Sequence, residues 1–575
     1  MVPTAAAPST PTPTPTPDPL APAWITRLPV PLGGAAGALQ GLAFAAKDNI
    51  DVAAVPTTAA CPAFAYTPTA HATVVQRLLD AGASLVGKTN LDQFACGLNG
   101  TRSPYGAVPN SFDPSRVSGG SSSGSAVVVA SGQVDFALGT DTAGSGRVPA
   151  GLNNIVGFKP SKGLLSTRGV VPAAQSVDCV SIFARTVATA ARVFQAALAF
   201  DPADPYARAL PLSGGTWAPG FRFGVPRELY FFGDHLNEAA FAHAVLLMEA
   251  LGGVAVPIDY SPLREAASLL YDSALVAERY AAIRPFFDAH EDAVMEPVRG
   301  IIASGRRYTA ADVFEAQTAL RALAQRVAPM WADIDVLMVP TAPTFPRLDD
   351  MLADPVRLNR ELGEYTNFVN LLDHAAIAVP SGLRDDGLPF GITLIAPAGS
   401  DWPLLELGQR YHHSTGLTQG ATGAPLPPPQ ALPMPAPEPL LQVAVVGAHL
   451  SGMPLNGQLT ERGATLLRQT HTAPDYRLFA LPGTVPPKPG LLRVAPGQGT
   501  AIAVEVWSMP ASRFGGFVAL IPAPLGIGTL SLGDGSTVQG FICEPWALEQ
   551  AEDVSHFGGW RAYIADVKSR QVHAA

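Results

Sequence analysis

The run PLPPPQALPMPAPEP, from Pro425 to Pro439, constrains this chain more than any other feature. Each proline locks φ and removes a backbone donor, so neither a helix nor a central strand can pass through it. No apolar periodicity competes with that reading, and such a run makes a semi-rigid spacer. The chain is therefore expected to fold as a body over residues 22–418, a linker over 419–440 and a smaller piece over 441–575. Its 575 residues also exceed what one hydrophobic core usually holds. A second proline run, Pro11 to Pro17, lies in a segment 1–21 that has neither a basic start nor an apolar stretch. That excludes an ordinary secretory signal and predicts an extended tail.

Charge narrows the class of function. The net charge is −10, which argues against a nucleic-acid or anionic-membrane surface. An anionic substrate would need a local cation, because the global field repels it. No apolar run approaches the roughly 18–20 residues of a membrane span. The four cysteines, Cys61, Cys96, Cys179 and Cys543, show no CxxC spacing, so neither a disulfide framework nor a zinc site follows. These features predict a soluble, cytoplasmic, multidomain protein.

The body alternates strand-like and helix-like segments. Gly41–Asn49 begins as a strand, Thr73–Ala81 carries apolar residues at helical spacing and Ala83–Gly87 is a short apolar run. Ser125–Ser131 fits a tightly packed helix of small residues, and Gln133–Leu138 is again strand-like. Such alternation predicts an α/β layer fold. Beyond the prolines, Gln442–Val446, Tyr476–Leu481, Ala501–Ser508 and Val538–Cys543 are short strands separated by glycines, which predicts a small β-rich α+β domain.

Three glycine-rich signals compete. Gly82-Ala-Ser-Leu-Val-Gly87-Lys88-Thr89 fits the phosphate-loop pattern, and an NTP-binding protein is one reading. A phosphate loop follows a strand and opens a helix, whereas here a helical pattern precedes Gly82 and Ser84-Leu85-Val86 is strand-like. A helix-to-strand turn explains the segment better. Gly120-Ser-Ser122-Ser-Gly124 fits the nucleophile elbow of serine hydrolases, with Ser122 as nucleophile. That elbow needs a histidine base, and none of the body's histidines sits in a recognisable acid–histidine context. The third signal is a constellation: Phe44-Ala-Ala-Lys47-Asp48-Asn49, then Ser118-Gly-Gly-Ser121-Ser-Ser-Gly124, then Gly139-Thr-Asp141-Thr142-Ala143-Gly144-Ser145-Gly-Arg147.

These three segments resemble the amidase signature family over roughly residues 22–418. The resemblance implies a mixed sheet flanked by helices and a Ser–cis-Ser–Lys triad. Lys47 falls on the catalytic lysine, Ser121 on the bridging cis-serine and Ser145 on the nucleophile. The strings Ala59-Ala-Cys-Pro-Ala-Phe-Ala-Tyr66 and Phe158-Lys-Pro-Ser-Lys-Gly-Leu-Leu-Ser-Thr-Arg-Gly169 are similar to the allophanate hydrolase branch of that family. So is Val446-Gly-Ala-His449-Leu-Ser-Gly-Met-Pro-Leu-Asn456 in the C-terminal piece, which resembles a γ-glutamylcyclotransferase-like domain.

The chemistry explains why these residue types are wanted. A serine hydroxyl is a weak nucleophile until a base takes its proton, and lysine is a base only when neutral. Burial in an apolar, positively biased pocket would lower its pKa, and Leu42-Ala-Phe-Ala-Ala precedes Lys47. Strand alternation would turn Asp48 away. Ser121 would relay the proton to and from Ser145, while Ser122 and Ser123 would hydrogen-bond the loop. The small residues Thr142, Ala143 and Gly144 would let backbone amides converge on an oxyanion. Ala143 stands where the common form of the motif has glycine, which disfavours positive φ there. Asp141 and Arg147 are expected to brace the loop.

By resemblance, Gly124, Tyr271 and Arg279 hold the substrate. Tyr271 and Arg279 would lie about two turns apart on one helix, close enough to clamp a small carboxylate. Read alone, Arg279 beside Glu278 would be a solvated surface pair. His449 is the candidate in the C-terminal domain, whose pocket would be lined by Gly483–Gly490 and Gly526–Gly528. The resemblance implies hydrolysis of urea-1-carboxylate (allophanate), decarboxylation of the intermediate by the C-terminal domain, no cofactor or metal, a homodimer, and association with a separate urea carboxylase. Another amidase or one chain of an amidotransferase is the alternative.

Overall fold

Alternation along the strand Ala43–Lys47 sends Phe44 and Ala46 to one face of a sheet and Ala45 to the other, and each face meets its own cover. On the first face Phe44 stacks on Phe136 with ring centroids 5.0 Å apart, and Phe158, Phe194 and Trp402 continue the core. Helices Val187–Ala197 and Asp401–Ser414 close over it. On the second face lies helix Ser123–Ala130, buried at every position. Its serine, glycine, alanine and valine side chains allow close approach to Ala45, Ala137 and Phe183. This helix follows Ser121 directly, so its packing sets where that loop sits.

The computed structural model describes residues 20–574 except 213, 437 and 438. Most of the expected tail, residues 1–19, lies outside the described residues. The chain divides into two units, 1–435 and 436–575. The strands of the first unit are β1 Trp24–Gly33, β2 Ala43–Lys47, β3 Ser84–Thr89, β4 Phe136–Asp141, β5 Val156–Lys159, β6 Cys179–Ala184, β7 Arg222–Pro226, β8 Val254–Ile258, β9 Val336–Pro340, β10 His374–Leu383 and β11 Pro389–Pro397. They form one mixed sheet in the order β1-β3-β2-β4-β6-β5-β10-β11-β9-β7-β8. At its centre β2 runs parallel to β3 and β4, and β4 pairs antiparallel with β6. The C-terminal ends of β2 and β4 therefore lie side by side, bringing Lys47 and Thr140 together.

In the second unit, β12 Leu440–Val445, β13 Thr465–His471, β14 Tyr476–Ala480, β15 Pro489–Arg493, β16 Ala503–Pro510, β17 Leu525–Ser531, β18 Thr537–Cys543 and β19 Glu552–Asp553 make two sheets. One has the order β13-β16-β12-β18-β17 and the other β15-β14-β19. They share a core that includes Val443, Val445, Tyr476, Leu491, Val506 and Phe541. A closing helix spans Trp560–Ala574. The α+β expectation holds, although β13, β15, β17 and β19 were not foreseen.

The linker expected over 419–440 differs in extent. Leu432 and Met434 pack against the core of the first unit. The Gln409 side chain donates to the Gln430 carbonyl at 2.8 Å, and His413 Nε2 lies 3.0 Å from the Pro427 carbonyl. A proline run keeps its acceptors while losing donors, so side chains of a neighbouring helix can hold it in place. The division falls after Pro435. No described helix is long and apolar enough to cross a membrane.

Candidate active site

Lys47, at the end of β2, is fully buried, and Nζ donates to Ser121 Oγ at 2.8 Å and Thr140 Oγ1 at 2.7 Å. Burial lowers its pKa to about 7. The expected positive bias is absent: Asp92, Asp178 and Asp141 all favour the ammonium, and desolvation outweighs them. Asp48 does turn away, forming a buried ion pair with Lys88 at 3.0 Å.

The Gly120–Ser121 peptide bond is cis. A Cβ at position 120 would sit 2.1 Å from Asp92 Oδ2, so only glycine fits there. Asp92 accepts from the amides of Asn99, Gly100 and Arg102, and its own amide donates to the Ser121 carbonyl. Asp92 thus holds the 99–102 loop through its carboxylate and the serine loop through its backbone amide. Ser122 Oγ donates to the Thr140 carbonyl at 3.1 Å, as expected of a loop brace. Ser123 Oγ is buried without a partner among the described residues, against expectation. Its place in the first turn of a closely packed helix leaves it no acceptor.

Ser145 follows β4 in a turn, and its hydroxyl donates to the Gly97 carbonyl at 3.4 Å rather than to Ser121. Gly144 has φ 151°, and a Cβ there would lie 2.4 Å from Thr366 Oγ1. Ala143 is outside the positive-φ region, as its side chain requires. Among the described residues, the amides of Ala143, Gly144 and Ser145 have no protein acceptor, whereas that of Gly146 donates to Asp141. Arg147 braces the turn through a bidentate buried ion pair with Asp141, both contacts 2.9 Å, and also donates to the Thr366 carbonyl and Asn370. Burial pushes the Asp141 carboxyl up, but Arg147 wins and holds it below its usual value.

Tyr271 and Arg279 do converge, by a route the sequence did not suggest. They are not on one helix: Ser261–Asp272 ends just after Tyr271, Ala274–Val276 forms a 3₁₀ turn, and a second helix runs Ala277–His290. The Ser273 hydroxyl accepts from the Leu275 amide and so caps the turn between the two helices. The Arg279 guanidinium lies 5.5 Å from the centre of the Tyr271 ring. Arg279 is only 4% exposed, and its Nε and Nη1 have no partner among the described residues. Glu278 is not its companion; it accepts from the backbone and hydroxyl of Ser176. Gly124 falls elsewhere. A Cβ there would be 2.2 Å from the Ala23 carbonyl and 2.7 Å from the Asn90 amide, so its bare Cα serves helix packing.

The two competing motifs resolve structurally. Lys88 lies on β3 after a turn at Gly82, with Asp48, Thr57 and the Pro56 carbonyl as partners, which leaves nothing to cradle a phosphate. Ser122 hydrogen-bonds the Thr140 backbone and no described histidine. Buried His374 and His412 are held neutral, both pushed down to about 3 by burial. Thr140, Asp92 and Asp178 were missed by sequence reasoning. Each is a common residue in an unremarkable string, and only the sheet register and loop closure bring them to Lys47.

In the second unit, His449 Nε2 pairs with Gln458 Oε1 at 2.9 Å, and its ring stacks on Phe541 at 5.0 Å with Phe517 edge-on at 5.3 Å. It lines a cavity of about 140 Å³ with Gln458, Val485, Lys488, Pro489 and Phe541. The 483–490 loop reaches this cavity as expected. From the other expected segment only the neighbouring Leu525 does, not Gly526 or Gly528.

A sheet with a buried lysine, a cis-serine and a glycine-bracketed second serine defines a class, and comparison agrees. The amidase family profile matches residues 24–405, and the chain belongs to that family. The second unit matches the allophanate hydrolase C-terminal domain over residues 441–565. The chain is 44% identical over 550 residues to the urea amidolyase of Saccharomyces cerevisiae, covering 93% of this chain and 30% of that protein. With the urea amidolyase of Lachancea kluyveri it shares 46% identity over 549 residues, covering 93% of this chain and again 30% of that protein. It therefore spans under a third of the length of these two relatives. Among solved structures it resembles the Kluyveromyces lactis allophanate hydrolase with a TM-score of 0.72 and 43% identity, covering 96% of this chain and 94% of that one.

Proposed function

We propose that this chain hydrolyses allophanate, H₂N–CO–NH–COO⁻, at its terminal amide, releasing ammonia and leaving N-carboxycarbamate. The observation that carries the reading is the pairing of two features in one unit. One is an amine held near neutrality within hydrogen-bond reach of Ser121; the other is a buried guanidinium beside Tyr271 whose Nε and Nη1 have no partner among the described residues. The first suits amide cleavage by a serine, and the second suits a substrate bearing a carboxylate. A global charge of −10 makes such a local cation necessary.

Neutral Lys47 takes a proton from Ser121 as Ser121 takes one from Ser145, and Ser145 Oγ attacks the amide carbon. For this the Ser145 hydroxyl leaves its 3.4 Å contact with Gly97. The amides of the Thr142-Ala143-Gly144 turn stabilise the oxyanion. The proton returns through Ser121 to the leaving nitrogen, ammonia departs, and water then hydrolyses the acyl-enzyme by the same relay. N-carboxycarbamate loses carbon dioxide, a step assigned to the His449 cavity, and decays to further ammonia. No cofactor enters. A cytoplasmic homodimer working beside a separate urea carboxylase completes the proposal.

The test is ammonia release by the full chain from allophanate, glutamine and simple aliphatic amides. Allophanate should be preferred by at least tenfold in kcat/KM, and Arg279→Met should raise KM for it far more than it lowers kcat. Preference for glutamine would make the chain an amidotransferase-type amidase instead.

A further inference from the structure

Asp178 was singled out by neither motif nor resemblance, yet it is the residue through which three parts of the site communicate. In the β4–β6 ladder Asp141 faces Cys179, so the next residue out on each strand, Thr142 and Asp178, also face each other. There the Thr142 hydroxyl donates to Asp178 Oδ1 at 2.5 Å. The Ala173 and Ala174 amides donate to the same carboxylate at 2.8 and 3.2 Å, closing the 173–178 turn around it. Asn370 joins the two sides again, donating to the Asp141 and Val177 carbonyls at 2.7 and 2.9 Å. The turn carrying the free amides of Ala143 and Gly144 is thus held at one end by Arg147 through Asp141 and at the other by Asp178 through Thr142.

We propose that Asp178 is a positioning residue for amide cleavage: it fixes the oxyanion turn through the Thr142 hydroxyl. This rests on the amidase reading above. Its hydrogen-bond partners are Thr142, Ala173 and Ala174, none of which is a reacting group. The charged groups facing this region are Lys47 on β2, Asp92 after β3, Asp141 and Arg147 around the turn, and Arg279 on helix Ala277–His290. Burial pushes the Asp178 carboxyl up to about 6, against its three hydrogen bonds and Arg279. While ionised it favours the Lys47 ammonium, so removing its charge should make Lys47 neutral at lower pH.

The experiment uses the full chain and two readouts across pH 5.5–9: kcat/KM for allophanate, and the rate at which a fluorophosphonate labels Ser145. Labelling reports the nucleophile and its base whatever the natural amide is, so failure of the substrate assignment is distinguished from failure of this proposal. Asp178→Asn should lower both rates about tenfold or more at pH 8 and move their acidic limbs at least half a unit down. Thr142→Val should lower the rates similarly with the limb unmoved, and Thr142→Ser should restore them. Thr142→Val removes the Thr142–Asp178 hydrogen bond outright, whereas Asp178→Asn keeps an amide oxygen that can accept it and removes the charge. The double variant should therefore show both the lowered rate of the first and the moved limb of the second. An acidic limb unmoved in a folded Asp178→Asn chain, with melting as for the unsubstituted protein, overturns the action of its charge on Lys47. Should that variant not fold, unimpaired labelling in Thr142→Val overturns the positioning role. No labelling of the unsubstituted chain overturns both.

Discussion

Lys47 and His449 are both driven towards their neutral forms by burial, but the molecule surrounds them differently. Around Lys47 the polar groups are already held: Ser121 by a loop that Asp92 ties down, Thr140 by the sheet, Asp178 by two backbone amides. The His449 ring has one hydrogen bond, two aromatic neighbours, and a cavity whose lining mixes apolar side chains with Gln458 and Lys488. The first arrangement fixes a proton path in advance. The second fixes only the ring plane and leaves the remaining polar partners to a ligand. Preorganisation of the first kind accelerates bond-making, whereas the second suits binding and release of something small.

The largest effects should follow that division. Lys47→Met removes the base and should lower ammonia release from allophanate by roughly 10⁴-fold or more, as loss of a nucleophile's base does elsewhere. His449→Ala should leave ammonia release from the first cleavage within about twofold while slowing carbon dioxide evolution. Both products are measured on the full chain, with early time points to separate the first ammonia from later decay. A comparable loss of first-step ammonia in His449→Ala would break the comparison.

A second pair of substitutions asks how tightly each site is walled. At Gly144 a Cβ would strike Thr366 and the φ of 151° disfavours a side chain, so Gly144→Ala should displace the oxyanion turn. A loss of about 10²–10³ in kcat is expected, the usual effect of removing one such donor. At Gly447 a Cβ would lie 2.3 Å from the Pro489 ring, which lines the His449 cavity. Gly447→Ala should therefore narrow that cavity and slow decarboxylation only. Equal kcat losses for ammonia in the two variants would show the sites to be coupled.

How legible each region was follows from the same contrast. Lys47, Ser121 and Ser145 sit in short glycine- and serine-rich strings whose spacing is unusual, and β2, β4 and the first helices were visible as periodic runs. What the strings hid was the supporting ring. Asp92 and Asp178 reach Lys47 only because β3 and β6 flank β2 and β4, and no local pattern encodes that pairing. The break between Tyr271 and Arg279 was concealed because Ser273-Ala-Leu does not look like a turn; one hydroxyl cap makes it one. The proline run was recognised, but its carbonyls gave side chains of the helix Asp401–Ser414 something to hold, which composition does not reveal. In the second unit the cavity wall is gathered from residues between 446 and 541, too scattered for any motif.

The pH dependence gives the smallest effect and the sharpest distinction. Lys47 works only as the free amine, and burial brings its pKa from an ordinary lysine value down to about 7. Below that pH the ammonium dominates, so kcat/KM for ammonia release should fall about tenfold per unit as acidity increases and level off above pH 8. The direction follows from the balance of causes: desolvation favours the neutral amine, while Asp92, Asp178 and Asp141 resist it. Neutralising the largest of these charges, in Asp92→Asn, should move the limb to lower pH. His449 is also lowered, first by burial and further by Lys488, against the Gln458 hydrogen bond. Its titration belongs to the other unit, so His449→Ala should leave the ammonia profile unchanged in shape and midpoint. A midpoint that follows His449 rather than Asp92 would mean that the imidazole, and not the buried amine, governs cleavage.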